Sequence, residues 1–262
     1  MILDPITRQL FSAGPPSPIC LMYHSTPRGK AQSKWDVTLR NLKAQLQLLK
    51  VAGWQAQLIS KVSQPMPAQT VFITFDDGFQ DNYPAFEALK DSGFVATWFI
   101  VSDTIGKQSH WESNIDGQRN MLDSGQLREL LQAGMEIGSH TCSHANLNAL
   151  KEADVYEELS RSKSELESVT QTPISSLAYP YGSYSIGTRD IAEHIGYKQA
   201  CTTSSGFGLI DDDLLQIRRI SIYAHDTPAT FARKIVFGDN EAGLAKTFQY
   251  LSRRLKDRLR KT

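Results

Sequence analysis

The sequence predicts a single α/β domain, folded as a closed or nearly closed barrel of parallel strands. Short runs of β-branched and aromatic residues alternate along the chain with longer segments whose apolar residues recur every three or four positions. Such alternation implies right-handed strand–helix–strand crossovers and a parallel sheet. A length of 262 residues suits one barrel-sized domain with a large core, and neither a repeat nor a linker divides the chain. We therefore expect an irregular segment at 1–18 and one folded domain at 19–262.

Six short apolar segments are predicted to be strands of this sheet. Each combines β-branched, aromatic or small residues and stops at a polar or turn-forming residue, as buried parallel strands do. In chain order they span 19–23, 71–75, 96–101, 135–139, 176–179 and 198–203. The segment before the first strand closes with Gly14-Pro15-Pro16-Ser17-Pro18, a poor context for a helix, so the start of the chain is expected to be irregular.

Five helices are predicted between these strands. The apolar residues of each fall three or four apart, as expected for one buried face. Asp123, with Gln126 three residues later, has the pattern of a capping box at the start of the third helix. The polar segment 102–120 is expected to be a functional loop. The helices are expected at 39–52, 83–91, 123–134, 155–169 and 186–194.

The charges of the chain balance. There are 28 lysine and arginine residues against 28 aspartate and glutamate residues, so the formal net charge is zero. Without net positive charge the protein has no long-range attraction for phosphate, and nucleic acid is not an expected partner. No apolar run approaches the roughly 18 residues that span a bilayer. Residues 1–11 lack the apolar stretch of a secretory signal, so the sequence taken alone favours the cytoplasm.

The segment 247–262 is predicted to be a basic amphipathic helix. Phe248, Leu251, Leu255 and Leu259 share one side of it, and the rest is rich in arginine and lysine. Two interpretations are open. The helix could close the bottom of the barrel with its basic residues in water, or it could make a peripheral contact with an anionic membrane surface. The first is favoured because most amphipathic helices pack on their own domain.

Side chains that can carry chemistry stand at the ends of predicted strands. Asp76-Asp77, His140 and His24 each follow a strand directly, and in parallel barrels that edge is where active sites are built. Two carboxylates held close and away from water repel each other unless a cation neutralises one of them. His144 lies four residues after His140, so both imidazoles converge on one point if the chain makes a single turn. Two histidines and one carboxylate are the ligands of many catalytic zinc ions.

Three short motifs occur in order along the chain. They are Thr74-Phe75-Asp76-Asp77-Gly78, then His140-Thr141-Cys142-Ser143-His144, then Tyr179-Pro180-Tyr181-Gly182. These motifs resemble those of the polysaccharide deacetylases, carbohydrate esterase family 4, and the resemblance extends over about 19–222. It is strongest to the branch that acts on poly-N-acetylglucosamine. The resemblance implies a distorted seven-stranded (β/α) barrel and a hydrolase that removes N-acetyl groups from such a glycan with metal-activated water.

The resemblance also implies a role for each matching residue. Asp77, His140 and His144 match the metal ligands of the family, and Asp76 matches its catalytic base. Tyr181 matches the residue whose backbone N–H helps to hold the oxyanion. The expected cofactor is a divalent metal ion, zinc in the first place, with cobalt and nickel as alternatives.

The general acid is left open between two histidines. The usual late motif has its only candidate in His225, which lacks the leucine that normally precedes it. In the exopolysaccharide branch the motif order is permuted and the histidine lies near the N-terminus, which favours His24. The third motif also lacks an arginine, since Ala178 stands at its position. Either another group, such as Arg218 or Arg219, orients the base, or the site is weakened.

Contacts with the substrate are expected from three further residues. Trp111, in the polar loop, could stack on a sugar ring or simply pack, and Tyr179 and Pro180 of the third motif are expected to bind substrate. The partner is an acetylated glycan and the protein is expected to be a monomer, working outside the cytoplasm or at the cell surface by family resemblance. Two other functions remain open, an O-acetyl esterase acting on acetylated xylan and a non-catalytic glycan-binding barrel.

Overall fold

A curled sheet with helices packed around it forms the centre of the molecule. The computed structural model describes residues 3, 5–15, 18–62, 67, 69–111 and 118–243. Its strands are β1 (Ile19–Tyr23), β2 (Gln55–Gln57), β3 (Thr70–Phe75), β4 (Thr97–Ile100), β5 (Glu136–Ser139), β6 (Ser176–Ala178), β7 (Gln199–Cys201), β8 (Leu209–Ile210), β9 (Asp213–Ile217) and β10 (Ile220–Ser221). Its helices are α1 (Pro5–Ala13), α2 (Leu39–Val51), α3 (Tyr83–Ser92), α4 (Ser124–Gln132), α5 (Glu152–Thr170), α6 (Ile186–Ile195) and α7 (Pro228–Phe237).

The strand order confirms the predicted barrel. Neighbouring strands follow the order β10-β1-β3-β4-β5-β6-β7-β9-β8, with β2 added beside β3, and every pair is parallel except β8 with β9. Seven of the described strands form the continuous parallel run from β1 to β9, as expected of this barrel type. The short strands β2, β8 and β10 are additions to it. Only Arg218 and Arg219 separate β9 from β10, so two residues carry the chain between the opposite ends of the curled sheet.

Alternate residues of the strands face two different buried regions. Leu21 of β1 and Ile73 of β3 belong to the large core between the sheet and the helices. Cys20 and Phe72, one residue earlier on each strand, belong to a small cluster inside the barrel. Successive side chains of a strand point to opposite faces, so each strand contributes one row to the outer core and one row to the barrel interior. The interior rows lead directly to the end of the barrel where the chemistry-bearing residues lie.

The five helices predicted between the strands all form, and their ends follow the capping signals. The side chain of Asp123 accepts a hydrogen bond of 2.8 Å from the backbone N–H of Gln126, whose own side chain accepts one from Asp123 N–H at 3.0 Å. This is the capping box expected at the start of α4. Gly93 ends α3 in the left-handed conformation that glycine adopts most easily.

The start of the chain differs from the prediction, because α1 lies within the segment expected to be irregular. Pro5 occupies the first turn, where its missing N–H costs nothing. Phe11 is buried against Trp54, and the Phe11 carbonyl accepts a hydrogen bond of 3.3 Å from the Trp54 indole. This packing, which also brings α1 against α7, stabilises a helix that local sequence does not suggest.

Two further features concern the predicted elements near the end of the chain. α7 is not among the predicted helices, although Thr227 caps it and Pro228 opens it, which is a recognisable start signal. The basic helix predicted at 247–262 lies outside the described residues. Among the helices that the structure describes, none has the length and apolar character needed to cross a membrane.

Candidate active site

The register of two neighbouring strands brings His24 and Asp76 together. β1 and β3 run parallel with Met22 opposite Thr74, so the same offset places His24 alongside Asp76 two residues later. The Asp76 N–H donates to the Tyr23 carbonyl at 2.9 Å, which continues the ladder past the end of both strands. Both side chains belong to the interior rows of the barrel and therefore lie at its carboxyl-terminal mouth.

A cavity of about 570 Å³ opens at this mouth. Polar and aromatic groups share its wall, an arrangement typical of a site for a polar small molecule or sugar. Seven of its lining residues were predicted from the sequence, namely His24, Asp76, Asp77, Trp111, His140, His144 and Tyr181. Six others were not, namely Met22, Trp35, Thr203, Ser221, Tyr223 and Asn240.

One carboxylate and two imidazoles converge at the base of the cavity. Oδ1 of Asp77 lies 3.5 Å from Nε2 of His140 and 3.3 Å from Nε2 of His144. Nδ1 of His140 lies 2.7 Å from the Ala178 carbonyl, and Nδ1 of His144 lies 3.1 Å from the Tyr181 hydroxyl. Because a carbonyl can only accept, Nδ1 of His140 donates, so in the neutral ring Nε2 carries the lone pair and turns it towards Asp77.

These three residues fit a divalent metal ion. Asp77 is 6% exposed, and its Oδ1 has no hydrogen-bond partner within the described part of the chain. A buried carboxylate oxygen that faces imidazole lone pairs is unfavourable unless a cation lies between them. A proton can also take that place. Although burial alone would raise the pKa of Asp77, hydrogen bonds from protonated His140 and His144 hold it well below its usual value. Their ligand atoms all lie within 4.8 Å of one another, and the donor set is that of catalytic zinc.

The backbone is strained where these side chains attach. Asp77, Thr141, His144 and Tyr181 all have positive φ, at 71°, 66°, 61° and 59°. Residues with a Cβ avoid this region, and each such conformation costs free energy that the surrounding structure must supply. Four of them in one site indicate that the local backbone is shaped for the placement of these groups rather than for stability.

A glutamate on α5 fastens the loop between the two histidines. The backbone N–H groups of Cys142 and Ser143 each donate to Oε2 of Glu158 at 3.0 Å, and the Ser143 hydroxyl donates to Oε1 at 2.7 Å. Cys142 is fully buried and its thiol donates to the Glu158 carbonyl. The loop that carries His140 and His144 is thus held against the rigid helix by one carboxylate.

Arg219 holds Asp76 through both carboxylate oxygens. Its Nη1 lies 2.6 Å from Oδ1 and its Nη2 lies 2.8 Å from Oδ2, and the arginine is 0% exposed. Burial alone would raise the pKa of Asp76, but the Arg219 charge and the nearby His140 hold it below its usual value. Arg218 instead donates to the Ser205 carbonyl. Of the two arginines considered from the sequence, Arg219 therefore orients the carboxylate that Ala178 leaves unsupported.

His24 lies in the site, whereas His225 does not. The His24 ring packs on Trp35 with a centroid separation of 4.4 Å, and its Nδ1 is buried without a hydrogen-bond partner among the described residues. Burial lowers the pKa of His24, although the nearby Asp77 opposes this effect. His225 is exposed, stacks on Tyr223 and does not line the cavity.

The predicted substrate contacts have mixed outcomes. Trp111 lines the cavity and stacks on His144 at 4.7 Å, so it is within reach of a bound sugar. The prediction that Tyr179 contacts the substrate is wrong for its side chain. That residue is 0% exposed, belongs to the outer core and donates to the Leu215 carbonyl at 3.2 Å. Strand alternation turns it away from the interior row of β6. Pro180 is also buried and does not line the cavity.

Lining residues of the cavity that were not predicted from the sequence come from both the early and the late part of the chain. Trp35 precedes α2, Ser221 and Tyr223 follow the break after β9, and Asn240 follows α7. Trp35 and Tyr223 pack together with a centroid separation of 5.1 Å. An isolated aromatic residue in a polar loop, the signal that singled out Trp111, applies equally to Trp35. The polar residues have no comparable signal.

The fold and site define a carbohydrate-active hydrolase of one family. A family model described as polysaccharide deacetylase matches residues 63–200, more than half of the chain. The chain belongs to the polysaccharide deacetylase family, as its three motifs predict. It is a hydrolase acting on carbon–nitrogen bonds other than peptide bonds, with an acetylated polysaccharide as its class of substrate.

Individual relatives agree with this assignment. The Bacillus subtilis protein YxkH, whose name assigns it to the polysaccharide deacetylases, is 30% identical over 209 residues, which are 77% of this chain and 70% of YxkH. The poly-beta-1,6-N-acetyl-D-glucosamine N-deacetylase of Staphylococcus aureus is 28% identical over 135 residues, 48% of this chain and 44% of that enzyme. Among solved structures, the Streptococcus pyogenes deacetylase PplD in complex with acetate has a TM-score of 0.72 at 25% identity, covering 84% of this chain and 99% of that one.

Proposed function

We propose that the protein is a metal-dependent N-deacetylase that acts on a glycan of the N-acetylglucosamine type. The observation that carries the proposal is the cavity in which Asp77, His140 and His144 meet beside Asp76 and His24. Those five residues would supply a metal site, a base and an acid within one cavity. The name of the Staphylococcus aureus relative supports the choice of glycan.

Asp77, His140 and His144 would hold the metal ion. When bound, a divalent ion supplies a Lewis acid that polarises the acetyl carbonyl and lowers the pKa of water. The protein's part is to keep the ligands deprotonated and oriented. Nδ1 of His140 donates to the Ala178 carbonyl, which fixes the ring and leaves the Nε2 lone pair available to bind the metal ion.

Asp76 is suited to take the proton of the attacking water. The bidentate contact with Arg219 fixes the plane of the carboxylate and keeps it ionised in a buried site. Each carboxylate oxygen retains a second lone pair, so Asp76 can still accept a proton while Arg219 holds it. A positioned base of this kind contributes about 10²–10⁴-fold to the rate.

Tyr181 supports the oxyanion and His24 supports departure of the amine. The positive φ of Tyr181 sets the direction of its peptide, and a fixed backbone N–H in such a position contributes about 10²–10³-fold. An amine leaves poorly as an anion, so the nitrogen must receive a proton as the bond breaks. His24 lies alongside Asp76 at the mouth of the same cavity and is placed to donate it.

Leaving-group dependence tests the assignment of the acid. The His24→Ala variant should lose most of its acetate release from an N-acetylglucosamine oligomer but retain cleavage of an activated aryl acetate, whose leaving group needs no proton. The His225→Ala variant is the matched control and should resemble wild type on both substrates. Equal loss on both substrates in His24→Ala, or a selective loss in His225→Ala, contradicts the assignment. Faster acetate release from acetylated xylan than from the oligomer contradicts the proposed substrate.

A further inference from the structure

The loop that carries His24 is attached to the turn that follows Asp77. Asp81 and Asn82 belong to that turn, six residues or fewer after the Asp-Asp pair. The Ser25 hydroxyl donates to Oδ2 of Asp81 at 2.6 Å, and the Thr26 N–H donates to Oδ1 of Asp81 at 3.3 Å. The strand end with the candidate acid is thus bonded directly to the segment with the base and a metal ligand.

Asn82 makes the contact with His24 itself. Its Nδ2 donates to the backbone carbonyl of His24, and its Oδ1 accepts from the Thr26 hydroxyl at 3.1 Å. A carbonyl can only accept, so the orientation of the amide is fixed by chemistry. Asn82 is 0% exposed, and both ends of its side chain are used on the two sides of Ser25.

Asn82 does not cap the helix that follows it. The short helical turn Gln80–Asn82 runs directly into α3, so the backbone of Asn82 is itself helical, with φ −76° and ψ −14°, and its side chain makes no capping hydrogen bond. Both ends of the amide are instead committed to the loop that carries His24.

The imidazole of His24 depends on this backbone contact for its position. Its Nδ1 has no hydrogen-bond partner among the described residues, so no carboxylate or carbonyl fixes the ring from that side. The ring packs on Trp35, and the rest of its placement comes from the backbone that carries it. Displacement of the backbone therefore moves the acid, and an error of about 1 Å in such a group can cost about 10²-fold in rate.

We propose that Asn82 is a positioning residue for catalysis, which fixes His24 relative to Asp76 through the His24 carbonyl. The inference rests on the proposed role of His24 as the acid. It predicts a defect confined to the step that needs the acid, because Asn82 touches neither the metal ligands nor the cavity. A merely structural role would instead affect stability and all substrates alike.

The experiment compares two variants. One removes the hydrogen bond from the Asn82 amide nitrogen to His24, and the other removes the hydrogen bond from Thr26 to the Asn82 amide oxygen. Asn82→Asp keeps the size and the acceptor but replaces the donor to His24 with a second acceptor, and Asn82→Ala serves if that variant does not fold. Thr26→Val is the matched control, since it removes the other partner of the amide and leaves the bond to His24 intact. Acetate release from an N-acetylglucosamine oligomer and from an aryl acetate, bound metal and thermal midpoint are measured for each.

The Asn82 variant should lose about 10- to 100-fold in kcat/KM on the oligomer, with aryl acetate cleavage and metal content near wild type. Thr26→Val should retain the wild-type ratio of the two activities even where its thermal midpoint falls. Parallel loss on both substrates, or no loss, overturns the role of Asn82. The His24→Ala variant, measured beside them, separates the two claims. If His24→Ala shows the selective loss and Asn82→Asp does not, only the inference fails, and if His24→Ala shows none, the proposed acid fails with it.

Discussion

Arg219 and Asp76 form a bidentate ion pair inside the barrel, with N–O distances of 2.6 and 2.8 Å. The two residues are 143 positions apart in sequence. Arg219 lies in the two-residue break between β9 and β10, where the chain passes between the ends of the sheet. Its Nε donates to the Thr202 carbonyl at 2.8 Å. One side chain therefore connects the residue that follows β7 with the candidate base that follows β3.

Replacing Arg219 should shift the pH dependence of activity. In Arg219→Met, burial of Asp76 is no longer offset by the arginine charge, so the pKa of Asp76 rises above its wild-type value. The acid limb of kcat/KM should then move to higher pH, since the base is protonated over a wider range. Removing one partner of a buried pair should also destabilise the fold by about 3–5 kcal/mol. The measurement is a pH–rate profile together with thermal unfolding.

Two further variants act as controls for this prediction. Arg219→Lys keeps a positive charge without the paired geometry and should show a smaller shift of the acid limb. Arg218→Met changes the neighbouring arginine, which bonds to Ser205 outside the site, and should leave the limb in place. An unchanged acid limb in Arg219→Met would show that another group sets the ionisation of Asp76.

Asp76→Asn should separate metal binding from catalysis. The substitution is nearly isosteric and leaves Asp77, His140 and His144 untouched, so the metal content should stay at the wild-type level. The rate of acetate release should fall by about 10²–10⁴-fold as the base is lost. Metal content is measured by elemental analysis and the rate by acetate release. A rate within about tenfold of wild type would assign the base to a different residue.

Glu158→Ala should weaken metal binding without touching a ligand. The loop between His140 and His144 loses three hydrogen bonds to one carboxylate, so both imidazoles become less well ordered. Outer residues of this kind typically change metal affinity by about 10–100-fold. Competition with a chromogenic chelator measures the dissociation constant. Glu157→Ala, on the adjacent exposed position of the same helix, is the control and should bind metal as wild type does.

Sequence reasoning located the buried strands because their composition is unambiguous. Strands covered on both sides are apolar throughout, so β1 and β3 could be recognised with an error of one residue or less. The metal-binding candidates followed from that placement, since Asp77 and His140 stand directly at strand ends. Three elements could not be predicted in this way. β8 and β10 contain two residues each, too few to show a period, and α1 forms through tertiary packing rather than local preference.

The choice between neighbouring residues was the part that the sequence could not supply. Arg218 and Arg219 are identical in type and adjacent, yet only Arg219 is turned into the barrel. The break that these two residues form between β9 and β10 decides which one points inward, and no local pattern reports it. For Tyr179 the sequence was sufficient. Side chains alternate along β6, and this alternation turns Tyr179 outward, so the prediction failed because the alternation was not applied.

Metal titration of the apoprotein tests the central claim most directly. The protein is stripped with a chelator and Zn²⁺ is added in steps while acetate release from an N-acetylglucosamine oligomer is followed. Activity should be absent at the start and rise linearly to a plateau at one equivalent of zinc, whereas His140→Ala should stay inactive with no tightly bound ion. Full activity in the stripped protein, or wild-type zinc binding and turnover in His140→Ala, would contradict metal-dependent deacetylation at Asp77, His140 and His144.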